Sequence, residues 1–147
     1  TAGIVATDAL LLAAERGVKV RLLVDDTLVH GDPHLLHALS VHPNAEVRIY
    51  NPVINVGQTT GKKLKNVFGN FQAVNQRMHN KLFIADGRVA ITGGRNVGNE
   101  YFDLANSSNF RDRDVLLVDG EVSDAQASFN AFWEHSLSQP VGASSTG

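Results

Sequence analysis

Segments with the two-residue period of a β-strand alternate along this chain with segments of helical spacing, and the links between them are short. That alternation limits the fold more than any other feature. Strands separated by helices favour parallel pairing, with the helices packed on the faces of the sheet. The order opens with a helix over residues 6–16, for which Thr7 or Asp8 supplies the cap and Gly17 the stop. Residues 18–24 read V-K-V-R-L-L-V, a strand ended by Asp25 and Asp26. Asp32-Pro33 starts a helix running to about Ser40, with proline in its first turn. Residues 45–50 (A-E-V-R-I-Y) form a strand ended by Asn51-Pro52, and residues 53–61 have the composition of a loop. Leu64, Val67, Phe68, Phe71 and Val74 then recur at spacings of three and four, one face of a helix. Strands at 81–86 and 89–92 flank Asp86-Gly87, the dipeptide of a tight hairpin turn. A strand at 114–118 and a helix at 123–135 complete the pattern. The expected fold class is α/β: a mixed, largely parallel sheet sandwiched between helices, with one hairpin inserted.

At 147 residues, 43% hydrophobic and 19% charged, the chain can build one domain with a real core. Residues 1–138 are expected to form it, and the small, polar residues 139–147 a flexible tail. There are no cysteines, so disulfides and thiolate metal sites are excluded. A net charge of −2 and a pI near 6.3 disfavour a nucleic-acid partner, which selects for basic surfaces. No apolar run approaches the roughly 20 residues of a membrane span, and no signal peptide is visible. The chain begins at Thr1 and opens almost directly into a helical pattern, as expected of a piece excised from a longer protein.

One segment carries chemistry. His79-Asn80-Lys81 is followed after four residues by Asp86, and after six more by Gly93-Gly94-Arg95-Asn96. Residues two apart on a strand share a face, so His79 and Lys81 are expected to project together. An ammonium beside an imidazole attracts a phosphate oxygen and favours the neutral, nucleophilic ring. Gly93 and Gly94 let backbone approach a phosphate closely. The Asn96 amide can donate to a nonbridging oxygen as charge builds. Asp86 is explained by the hairpin turn alone.

This pattern resembles the HKD signature of the phospholipase D superfamily. The flanks G-N-E-Y-F-D at 98–103 and F-R-D-R-D-V at 110–115 resemble bacterial cardiolipin synthases more than the nucleases of the superfamily. The resemblance implies a phospholipase D-type α/β fold, with His79 as the nucleophile that forms a phosphohistidine intermediate. It implies a phosphodiesterase or phosphatidyltransferase acting on phospholipids. It also implies a downstream carboxylate that orients the nucleophile. Asp112 and Asp114 are the candidates, and the family spacing favours Asp112. Asp86 belongs to the motif but is expected to be structural. Many members carry serine after the first glycine, where this chain has Gly94 and lacks that hydroxyl. The family builds one site from two HKD motifs, in tandem or across a homodimer, and this chain has one. His30, His34, His37, His42 and His135 have no lysine two residues on, so none resembles the missing acid. No metal-ligand set stands out and no cofactor is implied.

The partners so implied are a phospholipid substrate, a second HKD half and a membrane surface at which the protein is peripheral or anchored by a segment outside this chain. Lys62, Lys63 and Lys65 open the segment to Arg77 that carries the apolar face at 64–74; this basic start is read as a solvated helix end, with an anionic membrane as the alternative. Two other functions remain open: a nuclease or other phosphodiesterase using the same motif, and a non-catalytic lipid-binding or dimerisation module.

Overall fold

A computed structural model describes residues 1–25, 33–52 and 78–141. The loop expected at 53–61, the lysines and apolar face that follow it, His30 and residues 142–147 lie outside the described residues. In chain order the elements are α1 (Ala2–Glu15), β1 (Val20–Asp25), α2 (Pro33–Ser40), β2 (Ala45–Tyr50), β3 (Leu82–Ala85), β4 (Val89–Gly93), β5 (Asp114–Val118), α3 (Val122–Trp133) and β6 (Ser138–Pro140).

Helix α1 starts four residues earlier than the expected residue 6. Thr1 acts as the cap, its hydroxyl accepting from the Ile4 amide at 3.4 Å. Thr7 is not a cap but an interior residue, its hydroxyl donating back to the Gly3 carbonyl at 2.9 Å. The C-terminus ends as expected. Gly17 adopts φ 91°, Gly17 N–H donates to Ala14 and Val18 N–H to Ala13, the paired bonds of a Schellman turn.

The described residues form an α/β arrangement with two three-stranded sheets in place of the single, largely parallel sheet expected. One sheet, ordered β1-β2-β6, is mixed: β1 and β2 are parallel and β6 runs antiparallel to β2. The other, β3-β4-β5, is wholly antiparallel. The reason lies in the links. A parallel pair needs a crossover, which α2 supplies between β1 and β2. Strands β3 and β4 are joined by a tight turn and cannot be parallel. The tail expected from residue 139 is also corrected: residues 138–140 are β6, and the Val141 amide donates to the Val47 carbonyl at 2.9 Å.

The chain divides into two compact units. The first comprises the described residues of Leu10–His79 and His135–Gly147. Its core gathers Val20, Leu39, Val47 and Ile49, all buried, with α2 packed against β2, while the buried Tyr50 at the end of β2 lies 5.6 Å from the His135 ring. Glu46 and Arg48 take the other face of β2 and pair with each other at 2.7 Å. Asn44 joins the end of α1 to the start of β1: its side chain donates to the Ala14 carbonyl at 3.0 Å and its own carbonyl accepts from Val20 at 2.8 Å. His42 and His135 serve local turns, their Nδ1 atoms accepting from the amides of Asn44 and Leu137.

The second unit comprises Thr1–Ala9 and Asn80–Glu134. Asp86 and Gly87 sit at φ 54° and 63°, the two positive values of a primed hairpin turn. The Arg88 amide closes the turn on the Ala85 carbonyl at 3.0 Å. Helix α3 packs on β3 and β4 and buries Ala90, Val122 and Trp133. The cross-strand register puts Phe83, Val89, Ile91, Leu116 and Val118 together on the opposite face, where they are 37% to 63% exposed.

Leu39 is 0% exposed, so Leu39→Ala should cost roughly 2–5 kcal/mol of stability, lost contacts and residual cavity combined. Val41 is 67% exposed, and Val41→Ala should stay within about 0.5 kcal/mol. Urea denaturation of the two variants checks this, and equal midpoints would show that α2 does not seal the core.

Candidate active site

Strand β3 begins at Leu82, so His79 and Lys81 precede the hydrogen-bonded ladder. Strand alternation therefore does not fix their relative direction. His79 is exposed and Lys81 partly buried. The backbone leading into His79 is fastened by a residue the sequence reading assigned only to ending a strand. Asp25, 2% exposed at the end of β1, accepts a hydrogen bond from the Met78 amide through Oδ2 at 3.0 Å. A buried carboxylate is costly unless it is hydrogen-bonded, and this one contributes its acceptor one residue before the nucleophile candidate. Nothing in the alternation of residues 18–24 distinguishes Asp25 from Asp26 in this respect.

The remaining candidates gather within the second unit, where β4 runs out and β5 begins. Gly93 is the last residue of β4 and pairs with Asp114, the first of β5. A Cβ on Gly93 would run into the Asp114 carboxylate and the Arg113 carbonyl; one on Gly94 would run into the Asp112 carboxylate. Gly93 is therefore required by packing against backbone, a reason separate from close approach to a ligand, whereas a side chain at Gly94 would displace only the Asp112 carboxylate.

Arg95 ties the segment together. Its Nε donates to Asp114 Oδ2 at 2.8 Å, its Nη2 to the Asp112 carbonyl at 3.2 Å and its Nη1 to the Tyr101 carbonyl. Its guanidinium carbon also lies 5.5 Å from the centre of the Phe102 ring. Asp114 is thus committed to an ion pair, its side chain 30% exposed and that of Arg95 31%. Asp112 differs. Its Oδ1 accepts from the Arg113 amide at 2.8 Å, and no hydrogen bond is made by its Oδ2 among the described residues. Of the two acids, Asp112 is the one with an oxygen to spare.

Asn96 donates through Nδ2 to the Tyr101 hydroxyl at 3.0 Å. Arg111 reaches Asp103 only at 3.7 Å, with both side chains largely in solvent. Asp86 is exposed in the hairpin turn, which accounts for it. The sequence reading missed Arg95, which stands at the variable position of Gly-Gly-x-Asn. The signal available was its charge between a glycine pair and a run containing two acids.

Among the described residues no cluster of histidine and carboxylate side chains has the grouping of a metal site, and no helix is long and apolar enough to cross a membrane. Compared with known proteins, residues 5–133 match the family described as cardiolipin synthase, PLD-like domain. An uncharacterized protein of Helicobacter pylori is 42% identical over 132 residues, covering 90% of this chain and 26% of that protein. Cardiolipin synthase C of Escherichia coli is 41% identical over 128 residues, 85% of this chain and 26% of that protein. A cardiolipin synthase of Clostridium perfringens is 29% identical over 133 residues, 86% of this chain and 24% of that protein. The chain therefore spans about a quarter of the length of the relatives it matches. On the match to residues 5–133, this chain belongs to the PLD-like domain family of cardiolipin synthases.

Proposed function

We propose that this chain supplies one catalytic half of a phosphatidyl-transferring enzyme acting on phospholipids at a membrane surface. The observation that carries the reading is an intact His79, Lys81 and Asn96 pattern in a chain of this family, with Asp112 set against the glycine turn. Relatives named cardiolipin synthase favour a lipid over a nucleic-acid substrate.

In this reading a ring nitrogen of neutral His79 gives its lone pair to phosphorus and an N–P bond forms. The P–O bond to the leaving alcohol breaks, and that oxygen keeps the electron pair and takes a proton from an acid. In the second step the acceptor hydroxyl gives its proton to the same group, now a base. Its oxygen forms a new P–O bond as the N–P bond breaks and the pair returns to imidazole. Lys81 and Asn96 attract the nonbridging oxygens. Asp112 holds the other ring nitrogen of His79, which fixes tautomer and orientation. The acid is the histidine of a second H-x-K motif, in the same longer protein or in a second copy. The 147 residues contain one such motif.

Two predictions separate the parts of this reading. With bis(p-nitrophenyl) phosphate, whose leaving group needs no proton, the chain should release a burst of p-nitrophenolate and retain a phosphohistidine. His79→Ala should abolish both. On phosphatidylglycerol vesicles the same chain should be slower than a two-motif enzyme by roughly 100- to 10,000-fold, the usual value of acid assistance. Robust, His79-dependent turnover of the vesicles by dilute monomer would refute the half-site assignment.

The second concerns Gly94. Gly94→Ser would restore the hydroxyl many relatives carry, yet its Cβ would displace the Asp112 carboxylate. Overpacking of this kind typically costs about 1–3 kcal/mol. The burst should slow at least about tenfold, as it should in Asp112→Asn, and combining the two should add little. A faster burst in Gly94→Ser would show that the hydroxyl outweighs the carboxylate.

A further inference from the structure

The run Gly98-Asn99-Glu100-Tyr101-Phe102-Asp103 has no part in the chemistry above, yet one of its side chains reaches back to the glycine turn. The Tyr101 hydroxyl accepts from Asn96 Nδ2 at 3.0 Å. Tyr101 is itself held at three other points. Its ring lies 5.3 Å from that of Phe110, tilted by 46°. Its amide donates to the Gly98 carbonyl at 3.1 Å, and its carbonyl accepts from Arg95. The guanidinium that fixes the turn at Arg95 therefore also fixes the acceptor for the next residue's amide.

An asparagine amide turns about a broad, two-fold torsion, so its N–H directions are not set by the backbone. A donor to developing negative charge is effective when it is aimed before the charge appears. The amide nitrogen carries two coplanar hydrogens. Committing one to a fixed phenol oxygen sets the amide plane and with it the direction of the other. This chain also carries Gly94 where a serine hydroxyl would be a second donor, which increases the share of the work left to Asn96.

We propose that Tyr101 is a positioning residue for the Asn96 amide, holding one N–H so that the other is aimed at a phosphoryl oxygen. The inference rests on the phosphoryl-transfer reading given above. Tyr101→Phe keeps the ring against Phe110 and removes only the acceptor. Measured by the p-nitrophenolate burst, its rate constant should fall roughly tenfold, the value of one well-placed hydrogen bond. The half-saturating ester concentration and the thermal midpoint should stay at the wild-type values. Asn96→Ala should fall further, and Asn96→Ala/Tyr101→Phe should be no slower than Asn96→Ala alone, since the tyrosine acts only through the asparagine. A wild-type burst in Tyr101→Phe, or additive losses in the double variant, would overturn the inference while leaving the reading of the site intact if His79→Ala still abolishes the burst. A thermal midpoint lowered as far as in Tyr101→Leu would also overturn it, because the hydroxyl would then serve the fold. Absence of any His79-dependent burst in the wild-type chain would remove both the reading and the inference.

Discussion

The part of the candidate site built around the glycine turn is drawn together by one guanidinium. Between Gly93 and Asp114 the described chain has a single short 3-10 turn, at Asn99–Tyr101, and otherwise no regular structure. A long irregular connection costs entropy to close and does not by itself hold a side chain in place. Arg95 closes it from inside by reaching the Asp114 carboxylate and the carbonyls of Asp112 and Tyr101. A planar fork spreads its N–H donors over several atoms and so reaches three separated acceptors; a lysine ammonium would have to offer all its donors from one nitrogen. A partly exposed ion pair contributes at most about 1 kcal/mol, so the importance of this one is geometric. It ties residues 95, 101 and 112 to the first residue of β5.

That dependence explains what was legible in the sequence. The strands at 20–25, 45–50, 82–85, 89–93 and 114–118 follow from alternating side chains, the stop of α1 from Gly17, and the hairpin from Asp86-Gly87. All are local signals, each carried by a few adjacent residues. The start of α1 was hidden because Ala2, Gly3 and Ile4 lack the polar punctuation of a cap, whereas Thr1 supplies it from the end of the chain. The division into two sheets was hidden because alternation establishes that a strand has two faces and says nothing of its neighbour. Strand β6 was hidden for a related reason: Ser138, Gln139 and Pro140 have little strand propensity and are held by pairing with β2.

The residues of the site divide in the same way. His79, Lys81, Asn96 and the glycines stand out as a motif, since their chemical types and spacing are visible in one dimension. Asp25 and Arg95 do not, because each acts on a residue distant in sequence or on a backbone atom, and Tyr101 does not, because its bond to Asn96 spans an irregular loop with no sequence period. Asp25 and Met78 are 53 positions apart, and Arg95 and Asp114 are 19 apart. The two acids differ in the same way: Asp114 is occupied by Arg95, and Asp112 retains an oxygen without a hydrogen bond among the described residues.

The glycine pair brings these strands of argument together. Read from the sequence, Gly93 and Gly94 leave room for a phosphate in front of the backbone. In the fold they leave room for the carboxylates of Asp114 and Asp112. A carboxylate pressed against bare backbone is held by contact as well as by hydrogen bonds, and any side chain at either glycine would move it. At Gly94 the space a Cβ would need is taken by the far end of the Asp112 side chain, which would have to turn to admit a serine. In the reading proposed above, the donors to the phosphoryl oxygens are then Lys81, the Asn96 amide and the backbone N–H groups of the turn.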